Sequence, residues 1–138
     1  MTTYSQANGQ RASASVALIK QVVDLYSVGS TLQLPTNFTQ ILENQINLGA
    51  FPDDPTGIYV IMSSSDVGVT IGSSSSCINF CGFHSYYTRS NGHQLKFAWV
   101  GDTNRCLNSC AAQLVGPNGD AGMRLMQHLS FTYKMNES

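Results

Sequence analysis

Charge is what this sequence lacks most. Only 11% of its 138 residues are Asp, Glu, Lys or Arg, against about 25% in an ordinary soluble domain. Its seven Lys and Arg residues are scattered and almost balanced by eight Asp and Glu, for a net charge of -1. Nucleic-acid binding needs a dense basic footprint that releases counterions, so it is disfavoured. A basic helix lying on a membrane surface is disfavoured on the same ground. Long apolar runs are missing as well: none approaches the roughly 20 residues that span a bilayer as a helix. The first residues, Met1 to Gln10, are polar and hold no apolar signal-peptide core.

What remains suits a folded chain. The apolar fraction is 42%, and a chain of this length forms one domain with a real core. Low net charge removes the self-repulsion that favours disorder. Ser, Thr, Asn, Gln and Gly stand in for the absent charge.

Apolar periodicity predicts a helix over Ala12 to Val28, with Val16, Ile19, Val23 and Tyr26 on one face and Gly29 after its end. A second helix is predicted after Pro35, with Thr36 as N-cap, a stripe of Phe38, Ile41, Leu42 and Ile46, and Gly49 as its stop. Ile58 to Met62 is a continuous β-branched and aromatic run, which predicts a strand buried on both faces. Val67 to Thr70 reads as a further short strand, and Gly72 to Ser76 as a flexible loop. Phe83 to Thr88 and Leu95 to Val100 flank Asn91-Gly92, a turn signal because both residues tolerate positive φ, so they predict a hairpin. Leu95, Phe97 and Trp99 alternate with Lys96 and Ala98 and mark its apolar face. A last helix is predicted from Asp120, with Gly122, Leu125, Met126, Leu129 and Tyr133 on one face. The order predicts an α+β class: helices packed on a mixed or mostly antiparallel sheet containing a β-hairpin.

The second half carries a series of ordered blocks. Tyr59-Val60-Ile61-Met62-Ser63-Ser64-Ser65-Asp66-Val67 is followed by Cys77-Ile78-Asn79-Phe80-Cys81-Gly82-Phe83-His84. Phe97-Ala98-Trp99-Val100-Gly101-Asp102, Cys106-Leu107-Asn108-Ser109-Cys110-Ala111 and Pro117-Asn118-Gly119-Asp120 complete the series. In this the chain resembles the phosphate-induced, or Exordium, family of plant proteins. The resemblance implies a secreted protein of the cell wall or apoplast, linked to growth and cell expansion, with no established catalytic activity; the first hypothesis is a non-enzymatic protein without a cofactor that binds a wall or surface partner. Family members are roughly twice as long. The chain therefore reads as a single domain over residues 1–138, a central fragment or truncated member without its signal peptide. The missing flanks predict an open sheet edge beside Ile58 to Met62, or an exposed apolar patch.

The cysteines fall as Cys77-x3-Cys81 and Cys106-x3-Cys110. The even count and the secreted resemblance favour disulfides. Of the three connectivities, the local pairs Cys77 to Cys81 and Cys106 to Cys110 are preferred, although short loops gain less entropy on closure. The alternative is a small zinc-binding module in which all four thiolates hold the metal.

Three other constellations compete with plainer readings. Cys81 and His84 suggest a thiol nucleophile, which a disulfide at Cys81 abolishes. His84, His93 and His128 lack the His-Glu-x-x-His spacing of a zinc peptidase helix, since Arg124 stands four residues before His128. Asp66, Asp102 and Asp120 suggest acid–base hydrolysis of wall glycans, but Asp beside strands and turns more often caps backbone. Asn37-Phe38-Thr39 and Asn136-Glu137-Ser138 match the N-glycosylation sequon, making Asn37 and Asn136 candidate sites.

Overall fold

A computed structural model describes residues 17–110 and 129–133. The chain runs through β1 (Lys20–Asp24), β2 (Thr31–Gln33), α1 (Thr36–Asn47), β3 (Ile58–Ser63), β4 (Gly68–Ile71) and β5 (Ser74–Ser75). It continues through β6 (Gly82–Thr88), β7 (Gln94–Gly101), a short 3-10 turn (Thr103–Arg105), α2 (Leu107–Cys110) and β8 (Leu129–Tyr133). β1, β8, β3, β7 and β6 form one five-stranded sheet in that order; β2, β4 and β5 form a second, smaller sheet. Among the described residues the class is α+β, dominated by sheet, with one substantial helix. Among the described residues no helix is long and apolar enough to cross a membrane.

The hairpin forms where Asn91-Gly92 marks it, with β6 antiparallel to β7 from Gly82↔Val100 to Thr88↔Gln94, but its turn is a longer loop: the Gly92 N–H donates to the Arg89 carbonyl at 2.9 Å, and of the pair Gly92 alone takes a positive φ, +87°. Alternation then places Leu95, Phe97 and Trp99 in the core. Phe38 of α1 meets them there, with its ring 6.2 Å from that of Phe97 and 6.4 Å from that of Trp99. The helix buries the stripe expected of it, Phe38, Ile41, Leu42 and Ile46, and Gly49 follows its end at φ +69°. Its N-cap is Pro35 rather than Thr36, and no side chain caps it there. Asn37 instead reaches back, its Oδ1 accepting the Gln33 N–H at 2.6 Å.

Several expectations are corrected. Residues 20–24, inside the predicted first helix, are strand β1, and residues 129–133, the end of the predicted last helix, are strand β8. The two pair antiparallel, Val22 opposite Phe131, so a long-range partner overrides a local spacing that happens to fit a helix. Residues 17–19 and 25–28 of the predicted first helix are not helical either, and residues 12–16 and 120–128 lie outside the described residues. β3 is not buried evenly: Tyr59, Ile61 and Ser63 are buried, while Ile58, Val60 and Met62 are half-buried. Nor is it an open edge, because it pairs with β7 in parallel and with β8 antiparallel. The Ser-rich loop is ordered: Ser74 and Ser75 pair with β4, and Ser76 is buried with its Oγ accepting the Val69 N–H at 3.0 Å.

Strand direction sorts the polar residues. β3 and β7 are parallel, and β1 and β3 both run antiparallel to β8, so β1, β3 and β7 end on the same side of the sheet. That upper end collects the residues that follow these strands. The lower end collects the loop entering β3 and the turn of the hairpin.

Candidate functional site

At the upper end each strand exit contributes polar groups. β1 delivers Asp24, 3% exposed, whose carboxylate accepts the Ser27 N–H at 2.9 Å and turns the chain back. Inside that turn Tyr26 stands at φ +54°, a left-handed conformation that costs a side-chain-bearing residue about 1–2 kcal/mol. Its hydroxyl donates to Asp66 Oδ2 at 2.8 Å. Ser64, at the exit of β3, donates to the other oxygen of Asp66. The hydroxyls of Ser64 and then Tyr26 hold the Asp66 carboxyl below the ordinary range, and the Arg105 charge adds to this. Asp66 is therefore a fixed carboxylate at neutral pH.

β7 contributes the indole beneath this cluster. Trp99 is buried, and its Nε1–H donates to Ser63 Oγ at 3.0 Å. Gly101 makes room for the ring, because a Cβ there would lie 2.8 Å from two of the indole carbons. The chain then turns at Asp102, whose Oδ1 accepts both the backbone N–H and the side-chain amide of Asn104 at 2.8 Å. Arg105 crosses back and donates from Nη1 to the Ser65 carbonyl at 3.0 Å.

Two disulfides close this end: Cys77 bonds Cys106 and Cys81 bonds Cys110, each across 29 positions. All four predicted cysteines are thus oxidised, but the local pairing is corrected. Cys106, just before α2, and Cys110, at its end, stand four residues apart and bond the loop that carries Cys77 and Cys81. Bridging between the segments constrains the unfolded chain by about 3.6 kcal/mol for one such loop, against about 1.9 kcal/mol for a local pair. As disulfides the sulfurs are not the thiolate ligands that the zinc alternative requires. Cys77, like Tyr26, holds a positive φ, at +72°. The bridges, Trp99, Asp102 and Arg105 line a small open pocket of about 10 Å³, room for about one water molecule.

The other candidates do not converge. Cys81 is bonded, so the Cys81–His84 nucleophile is abolished. His84 is exposed on β6 opposite Ala98, and His93 sits at the far end of the hairpin, next to Gln94, which pairs with Thr88. Asp66 and Asp102 share the upper end, but each is engaged in hydrogen bonds, Asp66 with Tyr26 and Ser64 and Asp102 with Asn104. Asn37 is half-buried, with Oδ1 engaged by Gln33. His128, Asp120 and Asn136 lie outside the described residues.

The lower end holds a polar cluster that sequence patterns did not reveal. Arg89 grips Glu43 with two parallel bonds, Nε to Oε1 at 2.8 Å and Nη2 to Oε2 at 2.7 Å, and reaches Asp53 from Nη1 at 2.6 Å. Asn91 donates to Asp53 at 2.7 Å, and His93 Nδ1 lies 3.1 Å from its other oxygen. The Arg89 hydrogen bond lowers the Glu43 pKa against the opposing effect of burial. Burial pushes Asp53 upward, but Asn91, His93 and Arg89 outweigh it and leave it lowered. Tyr87 is pushed up by burial and by the nearby Glu43 charge. Glu43 and Arg89 are 46 residues apart, so no local motif announces them.

A family model described as "Phosphate-induced protein 1 conserved region" matches residues 1–129. Comparison with curated proteins and with solved structures finds no match.

Proposed function

The chain belongs to the phosphate-induced protein 1 family, and from that premise we propose that it is an extracellular, non-enzymatic protein of the plant cell wall that acts by binding a wall or surface partner. The observation that carries this reading is the double cross-link, Cys77 to Cys106 and Cys81 to Cys110. Disulfides persist in secreted and cell-surface proteins and are rare in reducing compartments. With them, the upper end presents a covalently fixed surface with Trp99 beneath it and Asp102 and Arg105 at the pocket.

A hydrolase acting on wall glycans is the rival reading, and the chemistry of the upper end argues against it. Glycoside hydrolysis pairs a carboxylate with a carboxylic acid whose pKa is raised. Asp66 is shifted the opposite way by Ser64 and Tyr26, which does not suit the acid's role, and Asp102 is engaged by Asn104.

The test is co-sedimentation of the oxidised, secreted chain with isolated plant cell walls, with released sugars measured in the same tube. The chain should pellet with the walls and release no sugar above a heat-denatured control. Retention in the supernatant would contradict the binding role, and sugar release abolished by Asp66→Asn in a folded protein would contradict the non-enzymatic one.

A further inference from the structure

The two disulfides are close enough to communicate. The Sγ atoms of Cys77, Cys106 and Cys110 all lie within 4.8 Å of one another. Cys110 belongs to one bridge, and Cys77 and Cys106 form the other. A thiolate freed at Cys110 thus finds a second disulfide within a small side-chain movement. The bridges also differ in access: Cys81 is exposed, while Cys77, Cys106 and Cys110 are half-buried.

We propose that these bridges form a two-step thiol–disulfide relay that takes a low-molecular-weight thiol as its substrate. In the first step the external thiolate attacks Cys81 Sγ. A mixed disulfide forms on Cys81, the Cys81–Cys110 bond breaks, and its electron pair leaves on Cys110 as a thiolate. In the second step the Cys110 thiolate attacks Cys77 Sγ. A Cys77–Cys110 bond forms, the Cys77–Cys106 bond breaks, and the pair leaves on Cys106. One external thiol is consumed and one protein thiolate is released, so electrons balance without another oxidant or reductant.

The neighbourhood sets the direction. Exposure makes Cys81 the entry atom, because exchange needs access as well as a nucleophile. Arg105 lines the same pocket as the two bridges, and a cation near a cysteine favours its thiolate form. The relay needs only the sulfur arrangement and stands apart from the proposed binding role.

Limiting glutathione added to the oxidised chain, followed by acidic trapping with N-ethylmaleimide and peptide mapping, tests this. Chymotrypsin cleaves after Phe80 and Leu107, which separates all four cysteines. The expected map shows glutathione on Cys81, a Cys77–Cys110 bridge and the trapped label on Cys106. Label on Cys110 with Cys77–Cys106 intact, or glutathione entering elsewhere, would overturn the relay. A second arm follows reduction of the inner bridge in the Cys81→Ser/Cys110→Ser chain. Losing the internal nucleophile should slow that reduction at least about tenfold; an unchanged rate in a folded variant would overturn the relay as well.

Discussion

The two ends of the sheet solve the same problem with different chemistry. Each must join segments distant in sequence where strands give way to loops. The lower end does it with charge: Arg89 on the hairpin clamps Glu43 of α1 and Asp53 of the loop before β3. The upper end does it covalently and mainly with neutral donors: two disulfides, an indole on Ser63, and hydroxyls from Tyr26 and Ser64 on Asp66, with Arg105 on the Ser65 carbonyl beside them. A chain so poor in charge spends part of what it has on the lower end. The upper end keeps its accessible groups around a pocket. The difference sets an ionic clamp at one end against a covalently fixed surface at the other.

The largest expected effect comes from beneath that surface. Trp99→Ala removes a buried indole that touches Phe38 and Phe80 and bonds Ser63. It should cost about 3–5 kcal/mol of stability, read from a denaturant melt under oxidising conditions. An unchanged midpoint would mean that Trp99 does not support the upper end.

Next is the covalent link. Cys77→Ala/Cys106→Ala should destabilise by about 3–4 kcal/mol, while the same melt after reduction of the wild type should lose at least as much. Insensitivity of the wild type to reductant would erase the contrast between the ends.

The ionic clamp comes third. Arg89→Ala leaves two carboxylates partly buried without their guanidinium and should cost about 2 kcal/mol near pH 7. The acid response carries the sign. Glu43 and Asp53 have folded pKa values below their unfolded ones. Their stabilisation is therefore present above the ordinary carboxylate range near pH 4 and lost as pH falls through the lowered folded values. Wild type should lose stability below about pH 4, and Arg89→Ala should lose less over the same interval. Parallel pH curves for the two proteins would show that the clamp contributes nothing.

How much of this was legible in the sequence follows from the range of the interactions. Features set within a few residues were readable: the stripe of α1, the Asn-Gly hairpin and the inward face of Leu95, Phe97 and Trp99. Helix assignments failed where pairing came from afar, since Val22 and Val23 form a strand only because β8 lies beside them. The cysteines were recognised, but their partners were not, because proximity across 29 positions is a property of the fold. Asp66 was singled out on position alone. Its Tyr26 partner, 40 residues away, was hidden in a segment read as helix. The Glu43–Arg89–Asp53 cluster left no sequence signal, since each residue alone looks like an ordinary solvated charge.

The smallest effect tests that Tyr26 contact. Tyr26→Phe removes one hydroxyl from Asp66 and should cost about 1 kcal/mol, with the Asp66 pKa moving up toward the ordinary range in a carboxyl NMR titration. A pKa that stays put would leave Ser64 as the sole donor that matters.

The covalent character of the upper end is the claim on which the rest depends, and a disulfide map of the non-reduced chain tests it most directly. Digestion between the cysteines should yield peptides joining Cys77 to Cys106 and Cys81 to Cys110, with no thiol open to alkylation. Local Cys77–Cys81 and Cys106–Cys110 links, or free thiols in protein recovered from an oxidising compartment, would contradict it.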